Sequence, residues 1–143
     1  MTLIGKLGKH ITIISIYQVP RNSGAAGNTT AHHQQVLQLK RDGEADQNPR
    51  RQLCDALDRY LTSELAKGHE IIIGGDFNEE IGTNMSGMTR VIAKHNLVDV
   101  HRTHLGSNNE PATYSRGSKR LDYVFMTPDT ASLVRTCGAE PFN

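Results

Sequence analysis

Residues 70–79 read EIIIGGDFNE: Ile71, Ile72 and Ile73 break at Gly74 and Gly75 into Asp76, Phe77 and Asn78. A short apolar run with turn residues directly behind it is the pattern of a buried strand that ends abruptly. Open α/β sheets take their ligands at strand ends. An acid and an amide two residues apart in that place can bracket one small polar group. The paired glycines leave the backbone free to turn and approach it. Asp and Asn are also ordinary turn formers that bond their own backbone, so both readings of Asp76 and Asn78 stay open at this point.

Working outward, residues 10–17 (HITIISIY) mix alternation with continuous apolarity, as a strand inside a covered sheet does. Residues 20–28 (PRNSGAAGN) read as a loop. Thr29 or Thr30 can cap a helix through about residue 39, ended near Gly43, and residues 41–49 are polar. The clearest helix spans 50–67. Leu53, Leu57, Leu61 and Leu65 repeat every four residues, Cys54 and Tyr60 widen the stripe, and Gly68 sits where a C′ glycine belongs. Downstream, a helix is expected over 88–95 with Ser86 as a possible cap, and residues 97–100 continue apolar. A turn-rich loop at 106–111 precedes three expected strands at 112–115, 120–126 and 132–136, the last two joined by Thr127, Pro128 and Asp129. This order, β, α, α, β, α and then several β without internal repeat, predicts an α/β domain whose later strands can run antiparallel.

The 143 residues suit a single domain, 1–143, long enough to bury a real core. With 16 Lys and Arg against 15 Asp and Glu, the formal charge of +1 gives no overall basic field, although a local groove can still be basic. Cys54 and Cys137 are expected as free buried thiols, which fits a reducing compartment. No run of about 18 apolar residues is present, so no membrane span is expected. The apolar segment near the N-terminus is short for a signal peptide and leads into Tyr17-Gln18-Val19-Pro20, which offers no small-residue cleavage site.

Other chemistry-bearing residues have competing readings. Asp122 lies inside RLDYVF, and aspartate is depleted in strands; it is either a partnered functional carboxylate or a charge facing solvent or Arg120. His101 and His104 have the spacing of a helical metal pair but no further ligands to complete a zinc set, and a solvated surface is the better reading. His32 and His33 are read likewise. Arg50, Arg51, Arg116, Lys119 and Arg120 form either a phosphate-facing surface or ordinary soluble surface. There is no G-x-S-x-G elbow and no Gly-rich nucleotide loop.

Taken together, Gly75-Asp76-Phe77-Asn78, then Arg120-Leu121-Asp122-Tyr123-Val124, and the upstream Ser15-Ile16-Tyr17-Gln18-Val19-Pro20 resemble the motifs of the endonuclease/exonuclease/phosphatase superfamily, in this order and over nearly the whole chain. The wording is most similar to deoxyribonuclease I-like domains of retrotransposon type. The resemblance implies a four-layer α/β sandwich, two packed mixed sheets flanked by helices. It implies hydrolysis of a phosphodiester or phosphomonoester with Mg²⁺ or Mn²⁺, most simply of DNA, with no membrane partner. In that pattern Asp76 matches the aspartate that orients or deprotonates the attacking water. Asn78 matches the amide at the phosphate or the ion, so Asp76 and Asn78 are the expected metal contacts. Tyr17 matches the tyrosine at the phosphate or leaving group, and Asp122 the aspartate that orients a catalytic histidine.

The departures carry as much information. The family pattern places an Asn and then a Glu metal ligand before the tyrosine strand, and no acidic residue precedes Tyr17 here. It closes on Ser-Asp-His, whereas this chain runs to Glu140-Pro141-Phe142-Asn143, and His101 and His104 fall in the wrong part of the motif order. The expectation is therefore a partial domain, lacking N- and C-terminal strands and inactive or nearly so as an isolated chain. It would be intracellular, and nuclear if retroelement-derived. The alternatives are part of a small-molecule or lipid phosphatase, and a non-catalytic nucleic-acid or protein-binding remnant.

Overall fold

The computed structural model describes residues 1–5, 8–21, 30–106, 111–113 and 117–138. Its elements are β1 (Thr2–Ile4), β2 (His10–Tyr17), α1 (Ala31–Arg41), α2 (Pro49–Ala66), β3 (Glu70–Asp76), α3 (Gly87–Lys94), β4 (Val98–Asp99), α4 (Val100–Leu105), β5 (Asp122–Met126) and α5 (Pro128–Ala131). The strands form one mixed sheet in the order β1-β2-β3-β5-β4. β2 runs parallel to β3, and the other pairings are antiparallel.

Alternation explains the packing. Thr12, Ile16, Ile71, Ile73, Tyr123 and Phe125 are buried on the face that α2 and α3 cover. Successive side chains point to opposite faces, so their neighbours line the other side. There Leu3, Tyr17 and Val124 are 45%, 54% and 43% exposed. Three aromatic rings stiffen the centre of the core. Phe77 meets Tyr123 and Phe125 edge-on at centroid distances of 5.7 and 5.5 Å, and Tyr123 stacks on Phe125 at 5.4 Å.

The helices follow their caps. Thr30 Oγ1 accepts from His33 N to start α1. Asn48 Oδ1 accepts from Arg50 N and Arg51 N to start α2, with Pro49 in its first turn. Cys54, Leu57 and Leu61 bury the α2 stripe and Leu53 and Leu65 flank it, whereas Tyr60 is 45% exposed and does not widen it. Gly68, at φ +75°, ends the helix in the left-handed conformation a C′ residue needs.

Several expectations are corrected. The described residues form one sheet rather than two packed sheets, so a four-layer sandwich is not closed. The strand expected at 132–136 does not form. Pro128 at the first position of α5 starts a helical turn instead, and Ala131 N donates to Thr127 O at 2.9 Å. Cys137 is therefore in irregular chain and only half-buried, against the expectation of a buried thiol, whereas Cys54 is buried; both are free thiols as expected. Of the strand expected at 112–115, Ala112 and Thr113 are irregular, and the rest lies outside the described residues, as do most of the 20–28 and 106–111 loops, Arg116 and residues 139–143. Residues 97–100 split into β4 and the start of α4, because Asp99 Oδ1 accepts from Arg102 N as a helix cap. No described helix is long and apolar enough to cross a membrane.

Candidate functional site

The site begins where β2 and β3 end together. In the sheet register Tyr17 is the direct partner of Asp76, and Asp76 is the direct partner of Asp122. Direct partners share a face, so residues from three strands stand in one row on the side of the sheet away from α2 and α3. Tyr17 and Asp122 are exposed there, and Asp76 is partly buried. The chain turns immediately afterwards. Phe77 N donates to Leu121 O at 2.9 Å, which drives the Phe77 ring, fully buried, back into the core.

Asn78 then takes a left-handed conformation, φ +44°, that asparagine tolerates better than most residues. Its backbone N donates to Asp76 Oδ1 at 2.8 Å, and its Nδ2 donates to Asp76 Oδ2 at 2.9 Å and to Gln18 O at 2.8 Å. Thus the turn-former reading and the site reading of Asp76 and Asn78 describe one arrangement. The bonds that make the turn also fix the carboxylate against the end of β2. Gly75, at φ +142°, permits the close approach: a Cβ there would lie 2.0 Å from Ile16 O.

Glu79, which carried no expected role, and Arg50, expected on a phosphate-facing or ordinary soluble surface, instead hold this turn from behind. Arg50, at the start of α2, donates through Nη1 to Val19 O at 2.6 Å and to Asn78 O at 3.3 Å, and through Nη2 to Glu79 Oε2. Both side chains of that ion pair are 11% exposed. Glu79 Oε1 also accepts from Met88 N at 3.0 Å, doing at the start of α3 what Ser86 was expected to do. Glu79 directly follows Asn78 in the sequence, but nothing there separates Arg50 from Arg51.

The remaining candidates disperse. Asp122 opens β5, and its exposed carboxylate has no hydrogen bond among the described residues. Arg120 does not pair with it. That guanidinium forks onto Asp99, with both bonds at 2.9 Å, and lies 4.3 Å over the Tyr123 ring, so it is buried rather than part of a surface. Lys119 remains at the surface, beside Asn78, in a groove of about 390 Å³, and pairs with Glu80 at 2.5 Å. His101 is buried and His104 exposed, so the pair is not one solvated face. Among the described residues no three His, Cys, Asp or Glu side chains converge as a metal set. Asp76 and Asn78 therefore supply only part of the oxygen shell a hard divalent ion takes, and both oxygens of Asp76 already accept from Asn78.

The sequence matches the Endonuclease/Exonuclease/phosphatase family over residues 4–141. The chain belongs to that family, whose members are generally metal-dependent phosphoesterases and nucleases. No individually curated protein gives a significant match.

Proposed function

We propose that this domain is of the nuclease type and that its chemistry is in-line attack of water on a DNA phosphodiester. The observation that carries this reading is the row Tyr17, Asp76 and Asp122, three strands in register at one open sheet end. Asp76, held in one orientation by Asn78, is placed to orient water or take its proton. The Tyr17 hydroxyl is a donor for a phosphate or leaving oxygen on the same face, and the Asn78 amide bonds the carbonyl of Gln18, the residue that follows Tyr17. Asp122 has a carboxylate, unengaged among the described residues, with which to hold a histidine or amine. A second sheet over the exposed face, as in the four-layer form of the fold, belongs to the same proposal.

The 143 residues by themselves are proposed to be inactive or nearly so. Among the described residues the candidate ligands do not close a cation shell, and catalytic groups that act as a unit lose most of their effect when one is missing. Conversion of supercoiled plasmid to nicked circle in Mg²⁺ or Mn²⁺ tests both parts. Robust nicking abolished by Asp76→Ala would overturn the low-activity statement. Release of phosphate from inositol phosphates or phospholipids in place of nicking would overturn the DNA assignment. The engagement of both Asp76 oxygens by Asn78 favours one second reading, a non-catalytic nucleic-acid-binding domain. Salt-dependent DNA retention that ignores both EDTA and Asn78→Ala would select it.

A further inference from the structure

On the other side of the sheet from the Tyr17 row, the ends of β2 and β3 and the starts of α2 and α3 surround a cavity of about 640 Å³. Small-ligand sites run from roughly 300 to 1,000 Å³. The lining charge is one-sided: Arg21, Arg50, Arg51 and Arg90 stand against Asp55 and Glu79, four positive groups to two negative.

Arg50 is engaged by Glu79 and two carbonyls. Arg51 and Arg90 are far less committed. Arg51 Nε lies 3.2 Å from Asp46, and Arg90 Nη2 lies 3.4 Å from Asp55, leaving most of each guanidinium's five N–H groups for a ligand. Ser86 and Gly87 bring the N-terminal end of α3 to the same wall. That end is already taken by the Glu79 carboxylate, whose Oε1 accepts from Met88 N at 3.0 Å in place of a cap from Ser86, so an anion's partners here are the side chains of Arg51 and Arg90. An oxyanion placed here meets two guanidinium groups.

The cavity also has a neutral polar wall. Gln18 is 1% exposed, and among the described residues its Oε1 has no hydrogen-bond partner and its Nε2 reaches only the weak acceptor Cys54 Sγ, at 4.0 Å. Buried amides are otherwise paired. A primary amide with donor and acceptor side by side is complementary to the edge of a nucleobase. Covalent chemistry is not the role of this cavity. Burial, and then the Glu79 carboxylate, push the Cys54 thiol up to about 11, so at neutral pH it is not a thiolate nucleophile.

We propose that this cavity binds a nucleotide, with its phosphate between Arg51 and Arg90 and its base edge on the Gln18 amide. The nucleotide is either free or one unit of a strand that continues from the Asn78 groove, which shares Arg21 and Glu79 with the cavity. No bond is made or broken in it, so the proposal stands whether or not the Asp76 face cleaves DNA.

Calorimetric titration of the purified chain in EDTA, with a deoxynucleoside 5′-monophosphate, the deoxynucleoside and inorganic phosphate, tests it. The monophosphate is expected to bind more tightly than either part. Arg51→Gln and Arg90→Gln, at exposed positions that leave the core intact, should each weaken it about tenfold, the size of one lost charge-assisted hydrogen bond. Gln18→Leu should remove the preference for monophosphate over phosphate; should that buried variant not fold, the two arginine variants still decide. No binding at millimolar monophosphate, equal affinity for inorganic phosphate, or indifference to both arginine changes would overturn the site. A labelled single-stranded oligonucleotide then separates the sources. Competition with the monophosphate supports a strand, and its failure to compete supports a free nucleotide.

Discussion

Gly75 has the least latitude of any residue near the candidate site. Its φ of +142° is strained for other residues, and the atom its Cβ would strike, Ile16 O, is backbone that cannot swing aside. Gly74 differs: a Cβ there would be 3.4 Å from Tyr123 O and 3.5 Å from a methyl of Val124, ordinary contacts. We expect Gly75→Ala to cost about 3 kcal/mol or more and Gly74→Ala about 1 kcal/mol or less, read as midpoints in urea unfolding. Equal costs would show that the close approach to β2 does not constrain the turn. The sequence displays both glycines side by side and makes them look equivalent; only the pairing of β3 with β2 tells them apart. The same holds for Arg50 and Arg51. They are adjacent and chemically identical, yet one is locked behind Asn78 and the other has its guanidinium largely in water.

At the level of elements, what could be read was what local pattern dictates. The leucine spacing of α2, its terminal Gly68 and the apolar run of β3 all appear where expected, because period and caps are local properties. What escaped was set by distant partners. β1 is three exposed residues with no pattern of their own, made a strand by pairing Thr2 with Thr12 and Leu3 with Ile11. The expected strand at 132–136 found no such partner, and Pro128 turned the chain into α5. Burial of Arg120 depends on Asp99, 21 residues earlier. Phe77 is the joint between element and site, since it follows Asp76 and packs edge-on against two rings of β5. Phe77→Ala should cost about 3–5 kcal/mol in urea unfolding, the range for emptying a filled aromatic core position. A loss below about 1 kcal/mol would mean that the β3–β5 core closes without it.

Across the whole molecule, the sheet end opposite the site is tied by Glu64. Its Oε1 accepts from Lys67 Nζ at 2.5 Å, while Oε2 bonds His69 Nδ1 at 2.9 Å and Thr12 Oγ1 at 2.8 Å, joining the end of α2 to β2 and the approach to β3. Lys67 first, then His69 and Thr12, hold the carboxyl at about 2 against an ordinary 4.5. A depressed carboxyl contributes stability that is fully present above its unfolded value and lost as pH falls through its folded one. Thermal melting between pH 5 and pH 2 should therefore show a decline running from about 4.5 toward 2, and a flatter profile in Glu64→Gln. Identical slopes in the two proteins would remove Glu64 from the acid response. At the other end, the Tyr17–Asp76–Asp122 row depends on registration as much as on residue identity. Strand side chains alternate with a period of two, so deleting one residue within β2, or inserting one between Asp122 and Tyr123 in β5, would carry Tyr17 or Asp122 to the opposite face if the remaining pairing held. Comparisons among relatives should accordingly weigh single-residue gaps in these strands above substitutions. A copy that keeps Tyr, Asp and Asp but carries one gap there has lost the shared row while its alignment still displays it.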